Sequence, residues 1–365
     1  MTVAHQRPHD IDPTLLDSVR QRGGAKLGIT ANLAAHTNEL IGGVILAVQD
    51  AGAPVELIWR DDQRNEEAAR RAARSLVDEA VVAVIGHLSA SAALPASEIY
   101  ADAGVVFLAP GTTHPALTKW PGGCVFRVCG RDDDQAEQIA DFIARSPRHG
   151  TVGIIEQDIA YGRALADLLR AALRKRNVAH LTFACDGRGL SPADLARFAR
   201  APVDLAAFAG IHEAAAVCCR QFEQIGYRNP VVLGDDGFTP NLLTLAGVSA
   251  AGVNVIAPGP AQNHDPAAAE LARRYQRLLG VEPGAYFLTS YAATRIVLAG
   301  LAASNGHGRD ALASRLRAQV WHTPAGDLAF DHSGEIQGLG WTVYQVEDGG
   351  FVPRRAATKD RHNDQ

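Results

Sequence analysis

The chain has 365 residues, with 35 basic and 40 acidic side chains for a formal net charge of −5; 47% of its residues are hydrophobic and 21% charged. That composition excludes a disordered or fibrous chain, and the mild acidity argues against a nucleic-acid-binding surface. At roughly 100–200 residues per domain the length predicts two domains, and the lack of a run of about 20 apolar residues predicts no direct membrane insertion.

The start, MTVAHQRPHDIDPTLLDSVRQRGG, is polar and carries no apolar leader segment; one helical turn is expected at Pro13–Arg20. A strand–helix rhythm then begins. Leu27–Leu33 is a short apolar run, and Glu39–Asp50 repeats apolar residues at helical spacing. Val55–Trp59 reads as a strand closed by Asp61 and Asp62, and Glu66–Glu79 as an amphipathic helix. Val81–Ile85 is wholly apolar, which suits a strand buried on both faces. Ala93–Asp102 is the next helix and Val105–Leu108 the next strand. Such alternation predicts a parallel α/β sheet.

A second round follows Arg131. Helices are expected at Asp133–Arg145, Arg163–Arg176, Pro192–Arg200 (with Ser191 as N-cap) and His212–Ile225. Strands are expected at Val152–Ile155, His180–Ala184, Leu205–Ala209 and Val231–Leu233. Two long helices, Pro266–Leu279 and Tyr286–Ala303, come next. Leu328–Phe330 and Trp341–Val346 read as antiparallel strands around the turn His332-Ser333-Gly334. Ligands of open parallel sheets bind at the carboxyl ends of the strands.

Motifs for nucleotide, metal or nucleophile chemistry are missing. No G-x-x-x-x-G-K-[ST], no G-x-G-x-x-G after a strand, no H-E-x-x-H and no C-x-x-C occurs, so no cofactor and no metal is expected. His87-Leu88-Ser89-Ala90-Ser91 follows a strand as a hydrolase elbow does, but lacks the flanking glycines. The five cysteines, Cys124, Cys129, Cys185, Cys218 and Cys219, are odd in number and without scaffold spacing, which points to packing roles and a reducing compartment. What remains is a set of polar strand ends. Ser89, Ser91, Thr112 and Thr113 offer hydroxyls near a helix start, a neutral site for a carboxylate. Tyr161-Gly162 falls between a strand and a helix, and Asp235 and Asp236 at another strand end. Together they suit hydroxyls for a carboxylate on one half and a carboxylate for an ammonium on the other.

Six segments carry a resemblance. IGHLSASAALPASEIY (Ile85–Tyr100) resembles the signature of the leucine/isoleucine/valine-binding proteins, the solute receptors of branched-chain amino-acid ABC transporters. AGVVFLAPGTTHPALT (Ala103–Thr118), DIAYG (Asp158–Gly162), RQFEQIG (Arg220–Gly226), LGDDG (Leu233–Gly237) and Tyr286–Ala293 continue it in the right order. The resemblance covers Lys26 to Val352. It implies a type I periplasmic-binding-protein fold: two Rossmann-like lobes, a three-crossover hinge and an interlobe cleft that closes on ligand. Tails are then expected at 1–24 and 354–365, lobe 1 at 25–131 and 260–335, and lobe 2 at 132–259 and 336–353.

Carried over by position, the resemblance implies a carboxylate side formed by Leu88, Ala90, Gly111 and Thr113, with Gly111 turning a carbonyl toward the ammonium. It implies Tyr161, the Ile211-His212 region and Asp236 on the other lobe, Asp236 as ammonium partner. Tyr286 would line the side-chain pocket, and His36 stands where the family often has an aromatic residue. Three departures stand out. The family's serine falls on Ala90, Asp236 replaces a longer glutamate, and the family's disulfide positions fall on Arg64 and Ser89. A modified amino acid or an amide therefore fits better than plain leucine or valine. The implied partner is an ABC permease if the protein is exported, or a regulatory protein if it is cytoplasmic. The family points to the periplasm; the polar start and missing disulfide point to the cytoplasm. An enzyme on the same scaffold, drawing on His36, His87 and His212, is the alternative.

Overall fold

The alternating apolar runs become strands whose residues divide between two helical layers. In the computed structural model, residues 13–19, 24–32, 36–120, 123–146, 150–261, 265–303 and 309–354 are described. They form two compact units. The first takes the described residues of Met1–Glu137, Thr239–Asn241 and Pro258–Gly340; the second takes those of Gln138–Phe238, Leu242–Ala257 and Trp341–Gln365.

The first unit opens with β1 (Ala25–Ala31), α1 (Thr37–Ala51), β2 (Val55–Asp61), α2 (Glu66–Asp78), β3 (Ala83–Gly86), α3 (Ala90–Asp102), β4 (Val106–Ala109) and β5 (Val125–Arg127). The strands make a parallel sheet in the order β2-β1-β3-β4-β5. Successive side chains point to opposite faces of a strand. Thus Ala83, Ile85, Val106, Leu108 and Phe126 join the core around α1, while Val84, Phe107, Ala109 and Val125 join the core of α2 and α3. Both faces are covered, so β3 and β4 are apolar throughout. Ahead of β1, Pro13–Ser18 form a short 3-10 helix whose Leu16 is buried in the α1 core. The rest of the expected tails, residues 1–12, 20–23 and 355–365, lies outside the described residues.

Helix α4 (Asp132–Arg145) runs from the first unit into the second. There follow β6 (Thr151–Gln157), α5 (Ala160–Lys175), β7 (His180–Asp186), β8 (Gly189–Leu190), α6 (Pro192–Arg200), β9 (Val203–Ala209), α7 (His212–Gln224), β10 (Val231–Leu233), α8 (Pro240–Ala246) and β11 (Asn254–Pro258). The chain then adds α9 (Pro266–Leu279), α10 (Phe287–Ala303) and α11 (Arg309–Arg317) to the first unit. Three short strands follow, β12 (Trp321–Thr323), β13 (Gly326–Phe330) and β14 (Ile336–Gln337). Strands β15 (Trp341–Glu347) and β16 (Gly350–Pro353) end the second unit. Its sheet has the order β16-β15-β11-β10-β9-β6-β7-β8, parallel from β11 to β7.

Ser191 caps α6 by accepting the Asp194 N–H, as its position predicts. The two C-terminal strands differ from expectation. The turn His332-Ser333-Gly334 joins β13 to β14, because Asp331 Oδ1 gathers the N–H groups of Ser333 and Glu335 and closes the hairpin early. Trp341–Glu347 pairs instead with β16, in another sheet. Tyr161 and Gly162 also differ: they lie inside the first turn of α5, not between a strand and a helix. Gly162 is required there, since a Cβ would stand 2.3 Å from the Gln157 carbonyl oxygen. All five cysteines are buried, and burial pushes Cys219 up to about 12, which fits packing rather than reactivity.

Candidate functional site

Strand β3 ends in a buried polar chain. His87 adopts a positive φ of 50°, and its ring is fully enclosed. Its Nδ1 lies 2.9 Å from Asp62 Oδ2 and its Nε2 3.1 Å from the Tyr100 hydroxyl. A carboxylate only accepts, so Nδ1–H donates to Asp62; in the neutral ring Nε2 then accepts from the Tyr100 hydroxyl. Burial, then the Asp62 charge, holds the Tyr100 phenol well above its ordinary range. Both ring nitrogens are engaged, so His87 acts as an anchor for the strand end.

Residues 88–91 start α3 from that anchor. Ser89 stands at the N-cap position, but its hydroxyl makes no capping bond and meets Ser91 Oγ at 3.2 Å. Ser91 donates to the Arg64 carbonyl at 2.8 Å, tying α3 to the loop after β2. That tie joins the two loops where the family's disulfide would fall. Thr112 is also committed: its hydroxyl donates to the His87 carbonyl, and its own carbonyl accepts from Arg127. Ser91 and Thr112, expected as ligand hydroxyls, thus each spend their proton on a backbone carbonyl. Thr113 differs. It is buried, its carbonyl accepts the Asp132 N–H at 3.0 Å, and its hydroxyl has no hydrogen-bond partner among the described residues.

Three expected residues meet at Gly111. A Cβ there would stand 2.9 Å from Leu88 Cδ2 and 3.2 Å from Tyr286 Cγ, so only glycine lets both side chains close over the strand end. Tyr286 packs edge-on against His36, with ring centroids 4.8 Å apart. Behind them stands Glu39, 2% exposed. Its Oε1 lies 3.1 Å from His36 Nδ1, and its Oε2 accepts the Tyr286 N–H at 2.7 Å. The segment bearing Gly111–Thr113 rests on Arg127, which is fully buried. Arg127 donates to Glu335 at 2.8 and 3.2 Å and to the carbonyls of Thr112 and His114.

In the second unit the expected residues form two pairs. The Tyr161 hydroxyl donates to Asp235 Oδ1 at 3.0 Å. Asp236 Oδ1 accepts both the His212 N–H and His212 Nδ1–H, each at 2.7 Å. His212 opens α7 and is buried. Asp236 thus already carries two donors on one oxygen, a constraint on the ammonium role that sequence alone did not suggest.

Glu39, Asp62 and the Arg127–Glu335 pair were missed in the sequence. Glu39 left one signal: an acidic residue inside a helix whose neighbours Leu40, Ile41 and Val44 are all buried.

The parallel strand ends with their helix starts are those of a type I periplasmic-binding fold, a class of solute-binding proteins. A family model described as "Periplasmic binding protein" matches residues 29–350; the chain belongs to that family, and its resemblance to the leucine/isoleucine/valine-binding proteins stands. It is 29% identical over 325 residues to Leu/Ile/Val-binding protein homolog 2 of Brucella abortus, covering 86% of each chain. It is 25% identical over 331 residues to the leucine-, isoleucine-, valine-, threonine-, and alanine-binding protein of Pseudomonas aeruginosa, covering 87% of each. Among solved structures, a leucine binding protein from Thermotoga maritima superposes with a TM-score of 0.82 at 20% identity, covering 90% of this chain and 97% of that one. A solute binding protein of an ABC transporter from R. palustris, in complex with benzoate, gives 0.81 at 14% identity, covering 91% and 95%. At these identities the structures speak for the fold alone.

Proposed function

We propose that this chain is a non-catalytic receptor for a small amino acid or amino-acid-like ligand, of the kind that serves an ABC permease. The observation that carries the reading is the Thr113 hydroxyl, which no described residue engages, beside a Gly111 strand end that Leu88 and Tyr286 approach. A hydroxyl left open at a strand end can donate to a ligand, and a carboxylate is the acceptor the neighbouring start of α3 suits. The relatives named for leucine, isoleucine and valine support the same ligand class.

Two observations favour an amide or modified amino acid within that class. Ala90 offers no hydroxyl, and Asp236 Oδ1 already accepts twice from His212. A thermal-shift screen with the twenty amino acids, short aliphatic amides and benzoate tests the proposal. A ligand at about 100 times its dissociation constant adds about 2.7 kcal/mol of stability. We expect an amino acid or amide to raise Tm and to be recovered chemically unchanged. No shift across the panel, or conversion of the ligand, overturns the reading.

A further inference from the structure

Glu39 is the third residue of α1, the position from which a capping-box glutamate reaches back to the backbone N–H of the N-cap residue. Here the N-cap residue is His36, and Glu39 reaches its ring instead, at 3.1 Å from Nδ1. The other carboxylate oxygen crosses to the chain just ahead of α10 and takes the Tyr286 N–H at 2.7 Å. One buried carboxylate therefore holds the backbone beneath one aromatic wall residue and the ring of the other, and the two rings pack edge to face.

We propose that Glu39 is a positioning residue for ligand selection: it fixes the proton of His36 on Nδ1 and seats Tyr286 over Gly111. The proposal rests on the reading of the protein as a receptor lined by His36 and Tyr286. Its chemistry is one-sided. A carboxylate only accepts, and the Tyr286 backbone N–H only donates. The ring nitrogen facing the second oxygen must then carry a proton, which also decides the character of the opposite edge of the ring. Glutamine at position 39 has one accepting and one donating end. The unalterable Tyr286 N–H claims the carbonyl oxygen, and the amide NH2 faces Nδ1. His36 must then present a lone pair there and move its proton to Nε2.

The test is a long-range 1H–15N correlation spectrum of the ligand-free protein labelled at histidine, with the His36 signals assigned by their loss in His36→Gln. We expect a protonated Nδ1 in the unaltered protein, a lone-pair Nδ1 in Glu39→Gln, and a protonated Nδ1 again in Glu39→Asp. A lone-pair Nδ1 in the unaltered protein overturns the proposal without any variant, as does an unchanged spectrum in a folded Glu39→Gln. Calorimetry with L-leucine is the second readout: Glu39→Gln should weaken binding at least tenfold, and equal affinity would remove the selective role. If the unaltered protein binds no leucine, the receptor reading loses its simplest ligand, while the spectrum still decides the placement of the proton.

Discussion

The two units present polar strand ends in opposite states. In the first, the residues around Gly111 are held from behind, by Arg127, His87 and Glu39, and the Thr113 hydroxyl in front is left without a partner. In the second, the polar groups hold one another: Tyr161 with Asp235, and His212 with Asp236. A ligand group gains more from a donor that no protein group already holds. It gains less from a carboxylate whose lone pairs are shared. On the proposed reading, the first unit offers a ligand one open polar group, and the second a set of pairs that a ligand must join or displace.

The largest effect should come from undermining the support of the first unit. Arg127→Met removes the donor to Glu335 and to the Thr112 and His114 carbonyls, all buried. Breaking such a pair costs about 3–5 kcal/mol; urea denaturation should show this, with ligand affinity lost in parallel. A smaller and sharper contrast pits Thr113→Val against Asp236→Asn. The first should leave stability nearly unchanged and weaken binding of a carboxylate ligand by about 1.5–3 kcal/mol, roughly 10- to 150-fold. The second should lower stability by about 1–2 kcal/mol through the His212 bonds and weaken only ligands that carry an amine. Calorimetry and melting of both variants with one ligand decide this; equal behaviour dissolves the distinction between the units.

The smallest effect lies away from both strand-end sets. Burial pushes the Asp50 carboxyl up, but its bonds from Arg274 and Tyr291, each 2.8 Å, hold it below its ordinary value. A carboxyl lowered on folding contributes stability above its unfolded pKa, and that contribution is lost as pH falls through the folded value. Asp50→Asn should therefore cost about 1 kcal/mol at pH 7, and the gap should shrink below about pH 4. A gap that persists in acid denaturation curves at pH 2 refutes the charge-based account.

Sequence patterns reached the scaffold better than the site. Strands β3 and β4 were legible because burial on both faces leaves no polar residue in them, and α6 and α9 because each begins with Pro after a capping residue. Helices α3 and α5 begin three residues earlier than their apolar periodicity suggests. Their first turns carry small or polar residues facing the strand ends, where no apolar stripe is needed. Strands β5 and β11 escaped notice: the first is three residues long, and the second follows a short helix and turn with no charged residue to mark its edge. The structure brings Leu88 and Tyr286 to Gly111, but the bonds of Ser91 and Thr112 were not legible, because a hydroxyl's partner is invisible in a sequence when it is a backbone carbonyl. Glu39 was harder still, because its second partner lies 247 residues away.

That distance has a consequence for how the protein is made. At about 5–20 residues per second, the ribosome takes roughly 10–50 s to travel from Glu39 to Tyr286. Throughout that interval α1 has been synthesised, but α10, which packs along it, has not. Leu40, Ile41, Val44 and Ile45, fully enclosed in the finished molecule, wait for α10 until the first two segments of the second unit, up to Ala257, have been translated. The unit begun first is therefore completed only after most of the second has been made. A message truncated before residue 286 yields a product with an uncovered apolar helix, the kind of surface that chaperones and proteases recognise.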